Sequence, residues 1–512
     1  MIGGCVETVL AFINLKAIGN KSKKIIVKYS LTAATIIFAV FTLIFYLALL
    51  FTRSRSGFVA LWIGLAALAL TLFKKYTKTV VLFAVILLSS TFIFGSGISQ
   101  IDRFTLVGAR HASPAPEVAT GPALETGGTE SGTIRAIVWK GAIDVMLHYP
   151  IFGSGVETFA FSYYQYRPES HNMVSEWDFL YNKAHNEYLN FAATSGIVGL
   201  ISYLGFIVGF VFWIILKFKN KSLSLLSFAL FSGWLTILLT NFFGFSVVIV
   251  ALYFYLIPAM IFVSVGAHPC VRPPNQKNNT GQTQGSAPTI KIILIILVSS
   301  FLLKTLYNYY RADQDYAKGS SYSKSGKTKE AYLYLTQAIE KNPMEPIYHD
   351  EISNVLANIA VSFFNEKDEE SAKKFASLAL KESDIATSIS PNNITFYKTS
   401  TKVNYTLSVL DPSFLARAVS SLEKASSLSP TDPKILYNLA ILQSKMNNLP
   451  IGVKILENAV LLKPNYRDAR FALALLYKDS GETQKAIDEL NYILINLDPE
   501  DQEAKDKLNL YD

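Results

Sequence analysis

Residues 185–200 read HNEYLNFAATSGIVGL, and the apolar run that they open continues to about residue 216. A helix needs about 17–25 largely apolar residues to cross a bilayer, so this stretch predicts a membrane-spanning helix with a polar entrance. The composition agrees, because 51% of the residues are hydrophobic, 17% are charged and the mean hydropathy is +0.29. With only two cysteines, Cys5 and Cys270, these values exclude a disordered, collagenous or disulfide-stapled protein.

Further apolar runs predict additional spans on both sides of this stretch. The complete set of expected spans covers residues 29–51, 57–73, 79–98, 188–216, 223–243 and 245–265. A weaker run over 290–307 is bracketed by Lys291 and Lys304, whose side chains can reach the two interfaces, so we expect a last transmembrane helix there. The opening stretch Met1–Leu15 is expected to be a span or the end of one.

Clusters of basic residues set the expected orientation of these spans. Lysine and arginine gather at 16–28, 74–78, 217–221 and 272–291, and two spans separate each cluster from the next. Because basic loops stay in the cytoplasm, one topology satisfies all four clusters. It places the loop 99–187, with 6 basic and 10 acidic residues, on the outer side of the membrane. If 290–307 crosses the membrane, the repeat domain described next also lies on the outer side. If 290–307 does not cross, the sequence does not decide on which side of the membrane the repeat domain lies.

The C-terminal part, residues 311–512, has a different character and a regular period. It carries 24 basic and 28 acidic residues, and Pro430, Pro464 and Pro499 recur after 34 and 35 residues. Helix pairs of this period resemble the tetratricopeptide repeat, loosely also at 316–343, whereas 347–429 fits only with insertions. We expect four or five units in an α-solenoid that binds a protein partner, with the recurring Tyr and Leu residues forming the repeat core. Asp313 and Asp315 look like a metal pair but are expected to open a helix.

These features divide the chain into four expected parts. Residues 1–265 form a transmembrane domain with the large outer loop, and 266–289, rich in Pro, Gly, Asn and Gln, form a flexible linker. Residues 290–307 form the last span and 311–512 the repeat domain. The fold class is therefore all-α: a polytopic helix bundle followed by a helical solenoid.

Polar residues persist at the outer ends of three spans, where a charged group needs a reason to stay. The first set is Ser54-Arg55-Ser56-Gly57, for which lipid headgroup contact is an equally good explanation. The second is a loop helix over 134–147 that begins near Arg135 and runs into HYPIFGSGVETF at 148–159. Gly153 and Gly155 indicate a tight turn there, since the pattern of a phosphate-binding loop is incomplete. The third is His185, at the entrance of the span, although a lone histidine is usually structural.

Together these motifs resemble the O-antigen ligase and polymerase family of membrane glycosyltransferases. The resemblance covers about residues 30–265 and rests on SRSG at 54–57, on R…W…A…HYPIFGSGVETF over 135–159 and on HNEYLNFAATSGIVGL over 185–200. It implies a GT-C-like bundle in the cytoplasmic (inner) membrane of a bacterium. The bundle would use a glycan linked to polyprenyl diphosphate, such as undecaprenyl diphosphate. The family has more spans than the seven or eight available here, so we expect an N-terminally shortened member, with the missing spans before residue 1.

The resemblance also implies roles for individual residues. Arg55 and Arg135 match arginines that engage the donor diphosphate, and His185 matches the catalytic histidine, whose reference pKa of about 6.5 suits a general base. Glu187 and Asp144 are possible supporting groups. Because fixed arginines can stabilise the leaving diphosphate, we expect the reaction to need no metal or other cofactor. A single displacement at the anomeric carbon, with inversion, is the expected course.

Several alternatives remain open from the sequence. The acceptor can be a lipid, a second glycan or a protein, which correspond to a ligase, a polymerase and a protein O-oligosaccharyltransferase in surface polysaccharide or envelope assembly. A non-catalytic, membrane-anchored tetratricopeptide scaffold is the competing class. A transporter is disfavoured because the spans within 188–265 contain no acidic residue. Nucleic-acid binding is disfavoured because the positive charge lies in membrane loops.

Overall fold

The computed structural model describes residues 21–106, 129, 131–220, 222–266 and 287–511. These residues form helices joined by turns, without a β-strand among them, as the expected all-α class requires. The stretch Met1–Leu15 and nearly all of the linker 266–289 lie outside the described residues. Within them the chain forms two compact units. The membrane unit holds the residues up to 106, 142–159 and 182–266, and the array unit holds 129–141, 160–181 and 287–511. The four domain boundaries expected above stay a prediction.

The membrane unit consists of long apolar helices. They are α1 Lys21–Phe51, α2 Arg55–Phe94, the short α3 Ser99–Asp102, the end of α4 Ser131–His148, and α6 Glu187–Lys219, α7 Leu225–Phe243 and α8 Val248–Gly266. Five stretches in the described residues are long and apolar enough to cross a membrane: Arg55–Leu72, Tyr76–Phe94, Glu187–Lys219, Leu225–Phe243 and Val248–Val265. They confirm five of the expected spans to within a few residues. The first expected span, 29–51, lies within α1, and the segment Ile36–Phe51 of that helix is apolar.

Helix α2 contains two of these spans. Its only non-helical residue is Tyr76 (φ −131°, ψ 36°), which separates Arg55–Leu72 from Tyr76–Phe94. Arg55, at the start of α2, donates a hydrogen bond to the carbonyl of Gly97, which follows its end. The two halves therefore run in opposite directions, as the basic cluster at 74–78 predicts for a tight cytoplasmic turn.

Small residues let the helices of the membrane unit approach each other closely. A Cβ atom on Gly64 of α2 would lie 2.6 Å from Cγ2 of Thr236 on α7. Ser232 of α7 donates a 2.6 Å hydrogen bond to the carbonyl of Gly64. Trp234 is fully buried and donates to the carbonyl of Phe254 on α8 at 2.8 Å. Backbone-to-side-chain bonds of this kind join helices where no water is available to satisfy polar groups.

The array unit is built from consecutive helix pairs. Its helices are α9 Ala287–Lys324, α10 Thr328–Lys341, α11 Pro346–Asn365, α12 Glu369–Ile389, α13 Ile394–Leu407, α14 Phe414–Leu428, α15 Pro433–Lys445, α16 Leu449–Leu462, α17 Arg467–Asp479, α18 Thr483–Tyr492 and α19 Gln502–Tyr511. The end of α9 pairs with α10, so the described residues hold five pairs and a final helix, within the expected number. Helices α11 and α12 have 20 and 21 residues, whereas α13 to α17 have 13 to 15. Longer helices thus explain much of the insertion that the sequence period indicated.

The repeat core follows the expected pattern, with one correction. Ala440, Leu456, Leu473 and Leu490 are buried between helices, as expected for core positions of the repeat.

The prediction that Asp313 and Asp315 open a helix is wrong. Both residues lie inside α9, where Asp313 accepts a hydrogen bond from the Tyr348 hydroxyl and Asp315 forms an ion pair with Lys341 at 2.6 Å. The helix continues from the apolar run before them, so these carboxylates pack against the following helices instead.

Two segments of the long loop belong to the array unit. The first, residues 160–181, includes most of α5 Phe159–Gln165 and the 3-10 turn Glu169–Met173. It packs on turns between repeats: Asn172 donates to the carbonyl of Thr431 at 2.9 Å, and Lys463 donates to the carbonyl of Asn172 at 2.9 Å. The second segment includes Thr129, which exchanges two hydrogen bonds with Ser175. These loop segments and the repeats therefore belong to one compact unit.

Candidate functional site

The SRSG motif at 54–57 forms the start of α2. The side chain of Ser54 accepts a 3.2 Å hydrogen bond from the backbone N–H of Gly57, so it caps the helix. Arg55 is the first helical residue, is exposed, and donates from Nε to the carbonyl of Gly97 at 3.3 Å. The cap and this hydrogen bond fix the backbone and the base of the guanidinium while the side chain stays at the surface.

Asp102 organises the turn that Arg55 contacts. Its carboxylate accepts hydrogen bonds from the N–H and hydroxyl of Ser96 and from the N–H of Gly97, and it pairs with Arg53 at 3.6 Å. Burial by itself would raise the pKa of Asp102, but these hydrogen bonds and the charge of Arg53 hold it below its ordinary value. The carboxylate therefore stays ionised and joins the turns at 52–55 and 95–98. The sequence motifs gave no indication of Asp102.

The two longer motifs meet at a break in helix α6. The break lies at Gly196 (φ 63°, ψ −165°), which interrupts an otherwise continuous helix. Residues 150–155 of the GSG segment fill the interruption through four backbone hydrogen bonds. These run from Ser154 to Ala193 (3.0 Å), from Gly155 to Thr194 (3.0 Å), from Ile197 to Pro150 (2.8 Å) and from Val198 to Ile151 (3.3 Å). Both expected motifs, 148–159 and 185–200, are thus parts of one structure.

Glycine is required on both sides of this junction. A Cβ atom on Gly196 would lie 2.3 Å from the carbonyl oxygen of Ile151, and one on Gly153 would lie 2.2 Å from the carbonyl carbon of Thr194. Both glycines also have positive φ, which L side chains rarely adopt. The tight turn expected at Gly153 and Gly155 is confirmed, and its role is to bring backbone against the broken helix.

His185 stands immediately before the start of α6. It is partly buried, has a φ of +53°, and its ring meets the ring of Phe245 edge to face at 5.2 Å. The next residue, Asn186, caps α6 by accepting a 3.1 Å hydrogen bond from the N–H of Leu189. A left-handed backbone at a residue other than glycine is uncommon and concentrates at functional sites. The imidazole is therefore held at the N-terminal end of the span by backbone geometry as well as by packing.

A polar network lies beside His185 at the ends of three spans. Glu187 accepts a 3.2 Å hydrogen bond from the N–H of Ser246, whose hydroxyl donates to Asn241 at 3.1 Å. Asn241 in turn donates to the hydroxyl of Tyr203 at 3.3 Å. Glu187 thereby holds the turn that carries Phe245. Sequence reasoning had missed Asn241 and Ser246, although the polar residues in NFFGFS at 241–246 interrupt two apolar runs and could have indicated them.

An ion pair joins the two motifs a second time. Lys183, two residues before His185, contacts both carboxylate oxygens of Glu157 at 2.5 Å. The lysine side chain is only 15% exposed, whereas that of Glu157 is 70% exposed. The pair therefore ties the chain just before α6 to the end of the 148–159 motif. The motif comparison had singled out neither residue for a role.

Arg135 and Asp144 lie on helix α4, which passes from the array unit into the membrane unit. Arg135 belongs to the array unit and is partly buried; within the part of the chain that the structure describes, its guanidinium has no hydrogen-bond or ion-pair partner. Asp144 belongs to the membrane unit, and its carbonyl accepts a 2.8 Å hydrogen bond from Nδ1 of His148. The structure thus brings His185 and Glu187 together, places Arg55 at the 95–102 turn, and assigns Arg135 to the other unit.

Comparison with protein families supports the resemblance deduced from the motifs. Residues 37–204 match the family model described as O-Antigen ligase, and residues 316–343 match a tetratricopeptide repeat. The first match contains all three motifs, at 54–57, 135–159 and 185–200. A search of curated proteins returned no match. At the level of the family, the match supports a membrane glycosyltransferase of the O-antigen ligase or polymerase type.

Solved structures similar to this chain are tetratricopeptide-type proteins. A thermophilic repeat protein of Thermus thermophilus is 16% identical, with 39% of this chain and 98% of that chain covered and a TM-score of 0.28. PilF of Pseudomonas aeruginosa is 18% identical, with coverages of 40% and 90% and a TM-score of 0.29. MamA of Desulfovibrio magneticus is 17% identical, with coverages of 38% and 98% and a TM-score of 0.28.

Proposed function

We propose that this protein transfers a glycan from a polyprenyl-diphosphate donor to an acceptor hydroxyl at the outer side of the cytoplasmic membrane. The observation that carries the proposal is the junction at α6, where two motifs of the matched family segment interlock by four backbone hydrogen bonds and hold His185 at the entrance of a span. A purely structural anchor has no need for a strained histidine at this place. The donor, with a lipid tail and a polar head, suits a site at the end of membrane spans.

The proposed role of the arginines follows from the charge of the leaving group. When the glycosidic bond to the diphosphate breaks, negative charge develops on the phosphate oxygen. A guanidinium remains charged and can donate two parallel hydrogen bonds to phosphate oxygens, which a lysine cannot do. Arg135 has its guanidinium unpaired among the described residues, and Arg55 is exposed with its base held by Gly97. In the proposed reaction these fixed cations stabilise the leaving diphosphate directly.

The proposed role of His185 is to accept a proton from the acceptor hydroxyl. As the acceptor oxygen attacks the anomeric carbon, its proton passes to a ring nitrogen of His185 and the bond between that carbon and the diphosphate oxygen breaks. The products are the glycosylated acceptor with inverted configuration, the polyprenyl diphosphate and a protonated imidazole that returns its proton to water. We assign Glu187 a supporting role, because it holds the Ser246 turn beside the histidine. Asp144 is retained as a second supporting residue.

The contacts of the loop support the proposed location of the repeats. Three spans, Glu187–Lys219, Leu225–Phe243 and Val248–Val265, follow the loop, so the chain after residue 265 is on the opposite side of the membrane. Residues 160–181 pack on the repeats, so loop and repeats share one side. An additional crossing is then needed, and the uncharged run 292–303 at the start of α9 is the stretch available for it. This supports an array outside the cytoplasmic membrane, together with loop 99–187.

Donor turnover in membranes tests the proposed function. Membranes containing the 512-residue chain are supplied with a polyprenyl-diphosphate oligosaccharide, and the released polyprenyl diphosphate is measured. We expect Arg135→Ala, Arg55→Ala and His185→Asn each to lower turnover by about 100-fold or more. Asparagine is chosen at 185 because it tolerates positive φ better than alanine, so the variant removes the base and keeps the backbone.

Matched variants separate chemistry from general damage. Arg103→Ala removes an outer-side arginine that lies over the ring of Phe104, so this variant should retain turnover. Arg135→Lys should recover only part of the activity, because it restores charge without the bidentate geometry. Full activity in His185→Asn would refute the general-base role. Absence of any turnover by the wild-type chain would favour the membrane-anchored scaffold.

A further inference from the structure

Asn172 is a buried connection between the outer loop and two separate turns of the array. It is fully buried, and its amide donates to the carbonyls of Thr431 at 2.9 Å and Leu462 at 3.2 Å. Its own carbonyl accepts a 2.9 Å hydrogen bond from Nζ of Lys463, which is 2% exposed. We name residues 429–432 and 462–466, which lie between consecutive helix pairs, the turn ridge. One loop residue therefore bridges both parts of the turn ridge.

Arg167 strengthens the same contact from within the loop. Its guanidinium is almost completely buried and donates to the side-chain oxygen of Asn172 at 2.7 Å, to the carbonyl of Thr431 at 3.2 Å and to the carbonyl of Trp177 at 3.0 Å. The hydroxyl of Thr431 donates back to the carbonyl of Arg167 at 3.1 Å. If the loop undocked, the charged groups of Arg167 and Lys463 would return to water, but all of these hydrogen bonds would be lost. Removing one partner while the loop stays docked would leave a buried polar group unpaired, which is unfavourable.

Aromatic packing and an outer ion pair complete the interface. Nζ of Lys463 lies 4.6 Å from the centre of the Trp177 ring, and that ring packs against Tyr466 at 5.4 Å. At the rim, Lys434 pairs with Asp178 at 2.5 Å. The contact thus has buried hydrogen bonds at its centre, aromatic contacts around them and an exposed ion pair at its edge. This arrangement is typical of a specific interface.

The docked loop segment also contacts the helix that carries Arg135. The hydroxyl of Tyr163 lies 2.8 Å from Nδ1 of the fully buried His171, whose Nε2 faces the carbonyl of Glu176 at 3.3 Å. The Tyr163 ring rests on Gly141 of α4, where a Cβ atom would lie 2.5 Å from the ring. Arg135 is six residues before Gly141, or about 9 Å along the helix axis at 1.5 Å per residue.

We propose that the partner of the turn ridge is residues 160–181 of the same chain, and that the array positions the Arg135 helix through this segment. The path runs from Lys463 to Asn172, through the buried core of the segment to Tyr163, and from Tyr163 to Gly141. Asn172 and Lys463 are thus positioning residues, and the importance of Arg135 itself rests on the proposed function. The turn ridge is occupied by this contact, so an external partner of the array would bind elsewhere on the repeats.

Hydrogen–deuterium exchange on the full chain in lipid nanodiscs tests this inference without requiring activity. In Asn172→Ala and Lys463→Ala we expect exchange within 131–141 and 160–181 to become at least about tenfold faster, which corresponds to about 1.4 kcal/mol. Exchange within α17 and α18 should stay as in the wild type. Lys454→Ala, which removes an exposed lysine from α16, is the matched control and should change neither region. If exchange rose throughout the repeats, or stayed unchanged in 131–141, the positioning role would be refuted.

Cross-linking tests the docking contact itself in native membranes. With Cys5 and Cys270 replaced by serine, Asp178→Cys together with Lys434→Cys should react with a short bifunctional thiol reagent, whereas Asp178→Cys with Lys454→Cys should not. Failure of the first pair, or equal reaction of both, would overturn the docking. Turnover gives a separate result: if the wild type is inactive, the proposed function fails while exchange and cross-linking still decide this inference. If the wild type is active, Lys463→Ala should raise the donor KM several-fold.

Discussion

Replacement of Gly196 by alanine should detach the GSG segment from the broken helix. The new Cβ would lie 2.3 Å from the carbonyl oxygen of Ile151, closer than any real contact, and the backbone at 196 has a conformation open mainly to glycine. If the segment stays in place, the strained backbone costs about 1–3 kcal/mol. If it moves away, four backbone hydrogen bonds of about 1 kcal/mol each are lost. The two responses together bracket a weakening of the junction of about 1–4 kcal/mol.

This prediction has a close control in the same helix. Gly205 and Gly209 also lie in α6, but an added Cβ meets nothing within 4 Å at either position. Gly205→Ala and Gly209→Ala should therefore keep the melting temperature and donor turnover of the wild type in nanodiscs. Gly196→Ala should lower the melting temperature and reduce turnover by about fivefold or more, since 1–4 kcal/mol corresponds to about 5- to 1000-fold in an equilibrium. If Gly196→Ala behaved like Gly205→Ala, the junction would not be what holds His185.

Three further predictions concern the array unit. Burial and the charge of Arg167 lower the pKa of His171 to about 4. Because the unfolded loop then binds more protons than the folded loop between pH 6.5 and 4, docking of 160–181 should weaken by up to about 3 kcal/mol as the pH falls through that window. The variant His171→Asn should abolish this pH dependence in exchange measurements. Burial raises the pKa of Asp350 to about 7; the folded state then binds more protons between pH 3.8 and 7, so stability falls as the pH rises. Asp350→Asn, which can still accept the 3.0 Å hydrogen bond from Thr399, should slow exchange in α11 at pH 8 but not at pH 4. Asp501 pairs with Arg467 at 2.8 and 3.0 Å, and its carboxylate caps α19 by accepting a hydrogen bond from the N–H of Ala504. Asp501→Ala should therefore make exchange in 502–511 about tenfold faster, whereas Lys507→Ala should leave it unchanged.

The membrane spans and the repeat period were predictable because each depends on local sequence. A span requires an uninterrupted apolar run, and the limits found for Leu225–Phe243 and Val248–Val265 differ from the expected ones by at most three residues. The repeat period was visible because proline suits the first turn of a helix better than its interior, as at Pro433 in the first turn of α15. By contrast, the prediction for Asp313 and Asp315 was wrong, because a pair of acidic residues suits the start of a helix as well as an interior face that meets lysine and tyrosine.

The junction and the docked loop could not be predicted, because they depend on contacts between residues far apart in sequence. Nothing in the apolar run around Gly196 indicates that its helix breaks, since glycine is common in membrane helices. The break becomes understandable only when residues 150–155 are seen to satisfy the freed backbone groups. Asn172 and Lys463 are likewise separated by 291 positions, and each looks like an ordinary surface residue in the sequence.

The contrast between two loop arginines shows how the structure separates support from chemistry. Arg167 is 4% exposed, and its guanidinium donates to Asn172, Thr431 and Trp177, so its charge is used in folding the loop. Arg135 is partly buried, yet no hydrogen-bond partner for it exists among the described residues. A guanidinium that makes no hydrogen bond or ion pair within the described part of the protein is available to bind an anionic ligand. By this reasoning Arg167→Ala should impair turnover only as far as it loosens the loop, whereas Arg135→Ala should impair it with the loop intact. Exchange within 160–181 measures that difference directly, and wild-type protection in Arg167→Ala would show the assignment of the two arginines to be mistaken.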